Sequence, residues 1–332
     1  MRKIVSILMA AAVLVALILV SGCTGTGGEQ QQLTTLRIGY QPSTHQIAEM
    51  TAMEKGWWQE DLAPYGVTTA TDTEFPTGAP EMQAMIADQI DIAYVGAAPA
   101  IVAMANSGLD AKIVAAVQTQ GSDLVLRPEV AYTSPADLKG MKIATFPPGT
   151  IQDTLFRDWL LANNLTPDED VTIVAMGPGD AMTAIAADQV DGVFLPHPAP
   201  AIIASNGNGR SVVASGEIQP NHACCVLVVS GKLIREQPEL VEQIVKTHIR
   251  ATEYNLANED EAAVIYANKT GQDINVVKQS FEEWDGTWVS DPNLITDSVV
   301  SYTEIQHDLG YVNKPLTRDE IFDLSFYEKA TA

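Results

Sequence analysis

The sequence writes one passage twice. AMIADQIDIAYVGAAPAIVA runs from Ala84 to Ala103, and AIAADQVDGVFLPHPAPAIIA runs from Ala184 to Ala204. The offset is constant up to Val95 and Leu195; one extra residue then enters the second copy before APAIIA matches APAIVA. Each copy reads as a helix, a strand and a proline-punctuated turn into a second helix. A spacing of about a hundred residues is far longer than the period of a solenoid. The repeat therefore constrains the chain to two similar domains.

The likeness extends beyond the quoted passages. LRIGYQP and MKIATFPP each place an apolar strand before proline at the same point of a unit. In the first unit LRIGY, VTTATDTEF, IDIAYV and AKIVAAVQ read as strands, and helical segments alternate with them, one opened by Pro80 with Glu81 in its first turn. The second unit repeats this with KIATF, VTIVAM, VDGVFL and RSVVAS. Such alternation indicates βαβ units and mixed, mainly parallel sheets. The strand-like runs Asp123–Arg127 and Cys224–Val229 are expected to cross between the domains as a two-stranded hinge, and the chain turns helical from Lys232. The expected layout is a discontinuous first lobe (36–122 and 226–332, with extra C-terminal helices) and a second lobe at 123–225. A length of 332 residues, 46% hydrophobic and 18% charged, suits two ordered domains. The formal charge of −23 argues against nucleic acid, whose phosphates such a surface repels. It constrains a small ligand far less, because one pocket can carry a field opposite to the net charge.

The N-terminus resembles a lipoprotein signal. MRK is basic, IVSILMAAAVLVALILV is apolar, and VSGC places small residues before Cys23, whose thiol would take the lipid. Residues 1–22 are then the signal and 23–35 a polar tether. The competing reading is one membrane-spanning helix, since the run approaches the ~20 residues a bilayer requires. Either way the remainder lies outside the cytoplasm. The other two cysteines, Cys224 and Cys225, are adjacent. Strand neighbours face opposite ways, so they are read as small apolar strand residues and not as an ordinary disulfide.

With these features assembled, the chain resembles the solute-binding proteins of ABC importers, and within them the aliphatic-sulfonate, taurine and nitrate-binding branch. The likeness rests on RIGYQPSTHQIAEMTAMEKGWWQEDLAPYGV, GAPEMQAMIADQIDIAYVGAAPAI, PPGTIQDTLFRDWL, MGPGDAMTAIAADQVDGVFLPHPAPAI and NHACCVLVVS, and covers about residues 36 to 260. The resemblance implies a type II periplasmic binding protein: a monomer whose lobes close on a small anion or zwitterion and which then docks on a membrane permease driven by an ATPase subunit. It implies no catalysis, no cofactor and no metal.

The repeat also locates the expected site. In open α/β sheets ligands bind beyond the carboxyl ends of strands, where helix N-termini expose unpaired N–H groups. Six turns have this placement: Gln41–His45, Gly78–Glu81, Gly96–Ala98, Gly149–Gln152, Gly177–Asp180 and the turn at His197. The candidate ligand contacts are Gln41, Ser43, Thr44, His45, Gly78, Glu81, Gly96, Ala97, Gly149, Thr150, Gln152, Asp180, His197 and His222. Hydroxyls, amides and bare backbone predominate, which favours neutral donors over ion pairs. Glu81 and Asp180 start helices and are read as caps or dipole partners; facing the cleft, either would suit an ammonium group. His222 is as consistent with hinge packing as with ligand contact, while His248 and His307 read as surface or packing residues. Trp57 and Trp58 read as packing. Two alternatives stay open: a pyrimidine or thiamine-precursor ligand, and a metal-dependent synthase on the same scaffold using His222 with Cys224 and Cys225.

Overall fold

Two sheets carry the two copies of the repeat in a computed structural model that describes residues 33–332. The signal segment and Cys23 lie outside the described residues. The strands run in chain order as β1 (Thr35–Tyr40), β2 (Thr69–Glu74), β3 (Ile92–Gly96) and β4 (Ala111–Thr119); then β5 (Ser122–Leu126), β6 (Lys142–Thr145), β7 (Thr172–Ala175), β8 (Gly192–Pro196) and β9 (Arg210–Ala214); and finally β10 (Ala223–Ser230) and β11 (Thr287–Trp288). The first sheet has the order β2-β1-β3-β10-β4-β11 and the second β7-β6-β8-β5-β9. Each contains a parallel triplet, β2-β1-β3 or β7-β6-β8, made by βαβ crossovers. Each is extended by antiparallel strands, with β10 beside β3 and β5 beside β8.

The duplication reaches the backbone. Asp88 and Asp188 both take the left-handed conformation at φ 55°, which aspartate tolerates better than most residues. After each, the N–H of Gln89 or Gln189 returns to the carbonyl of Ala84 or Ala184 at 2.9 Å and closes the helix. Asp91 and Asp191 then play one role twice. The Asp91 carboxylate accepts the backbone N–H of Arg37 at 2.9 Å, and that of Asp191 accepts the N–H of Lys142 at 2.8 Å, pinning β3 to β1 and β8 to β6. The copies part at the turn after the third strand. Gly96 leads directly into helix Ala97–Ser107, whereas His197 and Pro198, joined by a cis peptide bond, precede helix Ala199–Ser205. The extra residue of the second copy is absorbed there.

The chain passes from β4 to β5 through Gln120 and Gly121, and returns into β10 past His222. These passages touch, with the Gln120 N–H donating to the His222 carbonyl at 3.1 Å. The C-terminal helices pack on both halves. Helix Pro238–Ala257 lies against helix Ile47–Glu54, where Thr51 Oγ1 donates to Asn255 Oδ1 at 2.7 Å. In helix Thr296–Asp308, Gln306 Nε2 reaches the carbonyls of Ala98 at 3.3 Å and Gly149 at 3.2 Å, one from each repeat unit. The short β11, invisible as a period in the sequence, adds Trp288 to the first sheet and aims its indole N–H at the Thr44 carbonyl, 2.8 Å away. Among the described residues no helix is long and apolar enough to cross a membrane.

Candidate functional site

A cavity of about 310 Å³ lies between the two sheets at the carboxyl ends of their parallel strands. Each of the six turns contributes to its wall: Gln41, Ser43 and His45; Gly78; Gly96; Thr150 and Gln152; Pro178 and Gly179; and His197. The position follows from topology. All six parallel strands end on this side, and most lead into a helix whose first N–H groups lack intrahelical partners. Two of the first unit's turns pack closely because Gly78 and Gly96 carry no side chain. A Cβ on Gly78 would sit 2.6 Å from Pro99 Cγ, and one on Gly96 would sit 3.3 Å from Ile151 Cγ1.

Six of the candidate residues lie away from the wall, each for a physical reason. Thr44 is fully buried and spends its backbone N–H on the His197 carbonyl at 3.3 Å. Glu81 is buried behind Gln41, which donates Nε2–H to its Oε2 at 2.9 Å. Burial pushes the Glu81 carboxyl well above its ordinary range, which disfavours a charge there for an ammonium group to meet. Ala97 is buried in the first turn of its helix. Gly149 serves the turn, at φ 83°, and its N–H goes to Asp153 at 3.2 Å. Asp180 is exposed in the first turn of its helix and does not line the cavity. His222 is a hinge residue, with Nδ1 within 3.0 Å of the Ala223 carbonyl and 3.1 Å of the Tyr302 hydroxyl. Its pKa falls to about 4 because burial disfavours the imidazolium.

The wall also holds residues that sequence reasoning missed. Helix Glu259–Thr270 and the residues after it supply Tyr266, Lys269, Thr270 and Gln272. Among the described residues Lys269 is the one basic side chain, other than histidine, on the wall; it is ion-paired with Asp72 and lies 5.2 Å from the Tyr40 ring centroid. Glu74, at the end of β2, is the one carboxylate among them. It had a legible signal, because it ends a parallel strand like the others. Trp57, Trp58, Trp284 and Trp288 do not line the cavity.

The adjacent cysteines correct an expectation. Both line the cavity, with sulfurs 3.8 Å apart, instead of facing opposite ways. The cause is twofold. Strand β10 runs antiparallel to β3, so its first residues lie at the cavity edge, with Cys225 opposite Gly96. Its register against β4 also slips between Ala223 and Cys225 and again between Cys225 and Val226, which breaks the alternation of faces. The histidine that meets these sulfurs is His45 and not His222, with Nδ1 3.3 Å from Cys224 Sγ. Gln46 Nε2 donates to Cys225 Sγ at 3.5 Å. Hydrogen bonding between the two draws the Cys225 thiol down and pushes Cys224 well above its ordinary range.

The wall is thus made of helix starts, amides, hydroxyls, imidazoles and the two thiols, a lining suited to holding a small polar solute. Two duplicated α/β lobes enclosing such a cavity define the class: this is the periplasmic-binding-protein fold. The chain belongs to the NMT1-like family, whose model matches residues 29–268. It is 26% identical, across 96% of its length and 95% of the relative's, to a protein of Bacillus subtilis (strain 168) named for binding aliphatic sulfonates. Among solved structures it superposes on the alkanesulfonate-binding protein SsuA from Xanthomonas axonopodis pv. citri with a TM-score of 0.77, at 20% identity over 88% of this chain and 99% of that one. It superposes on the periplasmic nitrate-binding protein NrtA from Synechocystis PCC 6803 with a TM-score of 0.78, at 16% identity over 90% of this chain and 89% of that one.

Proposed function

We propose that this chain is the extracytoplasmic substrate-binding subunit of an ABC importer, lipid-anchored through Cys23, and that it captures a small organic sulfonate or related oxyanion for delivery to a membrane permease. One observation carries the reading: six strand-to-helix turns, three from each copy of the repeat, meet at one cavity. Helix N-termini hold oxyanions through N–H groups and a partial positive charge, without a cluster of basic side chains. That suits a wall with a single lysine in a chain of net charge −23. Sequence kinship with a protein named for aliphatic sulfonates points the same way. With Glu81 buried behind Gln41 and Asp180 exposed away from the wall, Glu74 is the carboxylate placed to meet the amine of a taurine-like zwitterion.

The test is a melting-shift screen of alkanesulfonates, taurine, nitrate, sulfate and carboxylates. A ligand at 100 times its dissociation constant adds about 2.7 kcal/mol of stability, which a thermal midpoint reads easily. The expected outcome is 1:1 binding without turnover. A screen in which no oxyanion moves the midpoint, or in which a ligand is consumed, refutes the proposal.

A further inference from the structure

The floor of the cavity holds an arrangement that solute capture by helix starts does not use. His45 Nδ1, Cys224 Sγ and Cys225 Sγ all lie within 4.8 Å of one another, and all three residues are buried. We propose that these three side chains form a binding site for a thiophilic divalent cation of the zinc class, with a fourth coordination position open to the cavity.

Three independent features support this. The first is spacing. Tetrahedral zinc with Zn–S bonds of about 2.3 Å and a Zn–N bond of about 2.0 Å requires sulfurs about 3.8 Å apart and a nitrogen about 3.5 Å from each. The sulfurs stand 3.8 Å apart and the imidazole nitrogen 3.3 Å from Cys224. The second is the tautomer. His45 Nε2 faces the Gly121 carbonyl at 2.7 Å, which accepts a hydrogen bond and so fixes the proton on Nε2. Nδ1 then keeps its lone pair and points it at the sulfurs, with the backbone-oriented ring that metal-binding histidines use. Only a glycine brings the backbone this close, because position 121 sits at φ 80° and a Cβ there would lie 2.8 Å from His45 Nε2. The third is charge. Two thiolates and a neutral imidazole carry −2, which a divalent cation cancels in a place where isolated charge is costly. The thiol protons leave to solvent on binding, and no electron changes hands.

Thiolate and imidazole select zinc-class ions over magnesium or calcium, which take oxygen ligands. Two protein thiolates and one imidazole leave one tetrahedral position, and both cysteines and His45 face the cavity. That position would take water or an anionic group of the solute. Metal binding here does not depend on the cargo being a sulfonate, since the metal is assayed alone.

The experiment uses the full chain, stripped with chelator and held under reductant, titrated with Cd²⁺ and then with Zn²⁺. One equivalent of Cd²⁺ should produce a thiolate-to-metal absorption band. Cys225→Ser, Cys224→Ser and His45→Gln should each weaken binding by ~100-fold or more, a loss at or beyond the upper end for outer-shell partners. His222→Gln should leave band and affinity unchanged. Cys23 is common to all variants, so any contribution from it is a shared background. X-ray absorption on the zinc-loaded wild type needs no variant to fold: two sulfurs at about 2.3 Å and a nitrogen at about 2.0 Å are expected. A shell of oxygen and nitrogen alone, no band, or a band and affinity left unchanged by Cys225→Ser overturns the proposal.

Discussion

Replacing Glu49 by glutamine should stabilise the protein at neutral pH and leave it nearly unchanged in acid. Glu49 lies in the first turn of helix Ile47–Glu54, is fully buried, and neither of its carboxylate oxygens meets a hydrogen-bond partner among the described residues. Burial raises its pKa to about 8, with the Asp72 carboxylate adding to the rise and Lys269 opposing it. The folded state therefore holds a proton that the unfolded chain gives up near its ordinary value of 4.5. Between those two values the native state binds more protons, so stability falls as pH rises. At pH 7.5 the gap is about 3 pK units, or about 4 kcal/mol at ~1.4 kcal/mol per unit. Glutamine has the same shape and is neutral at every pH, so it removes this penalty. Urea midpoints of both proteins at pH 4.5 and 7.5 give the answer as a difference of differences, in which every other titrating group cancels. The variant should gain by about 3–4 kcal/mol between the two pH values. If its curve runs parallel to that of the wild type, Glu49 is ionised in the fold and the account of its burial is wrong.

Acid should expose the opposite sign elsewhere. Burial lowers His222 and His248 to about 4, so from pH 6.5 down to 4 the unfolded chain takes up protons that the fold refuses, and stability drops by up to ~3 kcal/mol per histidine. His248→Gln should flatten that limb by about half in urea midpoints, and an unchanged slope counts against it. Gly78→Ala forces a Cβ to within 2.6 Å of the Pro99 ring, whereas Gly177→Ala enters open space. The first should lower stability by ~1–3 kcal/mol and weaken ligand-induced melting shifts; the second should stay within ~0.5 kcal/mol, and equal effects would refute the packing argument. Asp91 and Asp191 hold the backbone in the same way and each meets a guanidinium, but Asp91 takes Arg37 through two close contacts at 3.0 and 2.6 Å and is far less exposed, whereas Asp191 meets Arg127 at 3.3 Å. Asp91→Asn should therefore cost ~2–3 kcal/mol and Asp191→Asn about 1 kcal/mol, as read from denaturation midpoints.

The fold was legible because repetition is a stronger constraint than local propensity. ADQ followed by an acid, a strand and APAI carries a left-handed aspartate, a helix closure and a strand anchor in the same order twice, and the structure builds both alike. What repetition does not encode is anything that occurs once. The C-terminal helices have no second copy to align with, and helix Glu259–Thr270 has little amphipathic period to say which of its faces meets the rest of the fold. Tyr266, Lys269 and Thr270 reach the cavity for that reason unannounced. Likewise β11, two residues long, is shorter than any pattern can reveal.

The site divides along the same line. Turns that end parallel strands could be placed by rule, because a βαβ unit fixes where its loop points. Within a turn the rule is silent about side chains: Gln41 and Gln152 face the cavity, while Glu81 and Thr44 face inward. The cysteines fail the rule for a sharper reason. Alternation predicts opposite faces only for a regular strand, and β10 is irregular over Ala223–Val226, where it enters from the crossing between the lobes. The same crossing brings Gly121 to His45, whose ring orients toward the two sulfurs. So the passage between lobes, which has no counterpart inside the repeat, is also where unlike side chains gather at the cavity. Duplication built two matching walls of backbone, and the parts that were never duplicated add Cys224, Cys225, Tyr266 and Lys269 to them.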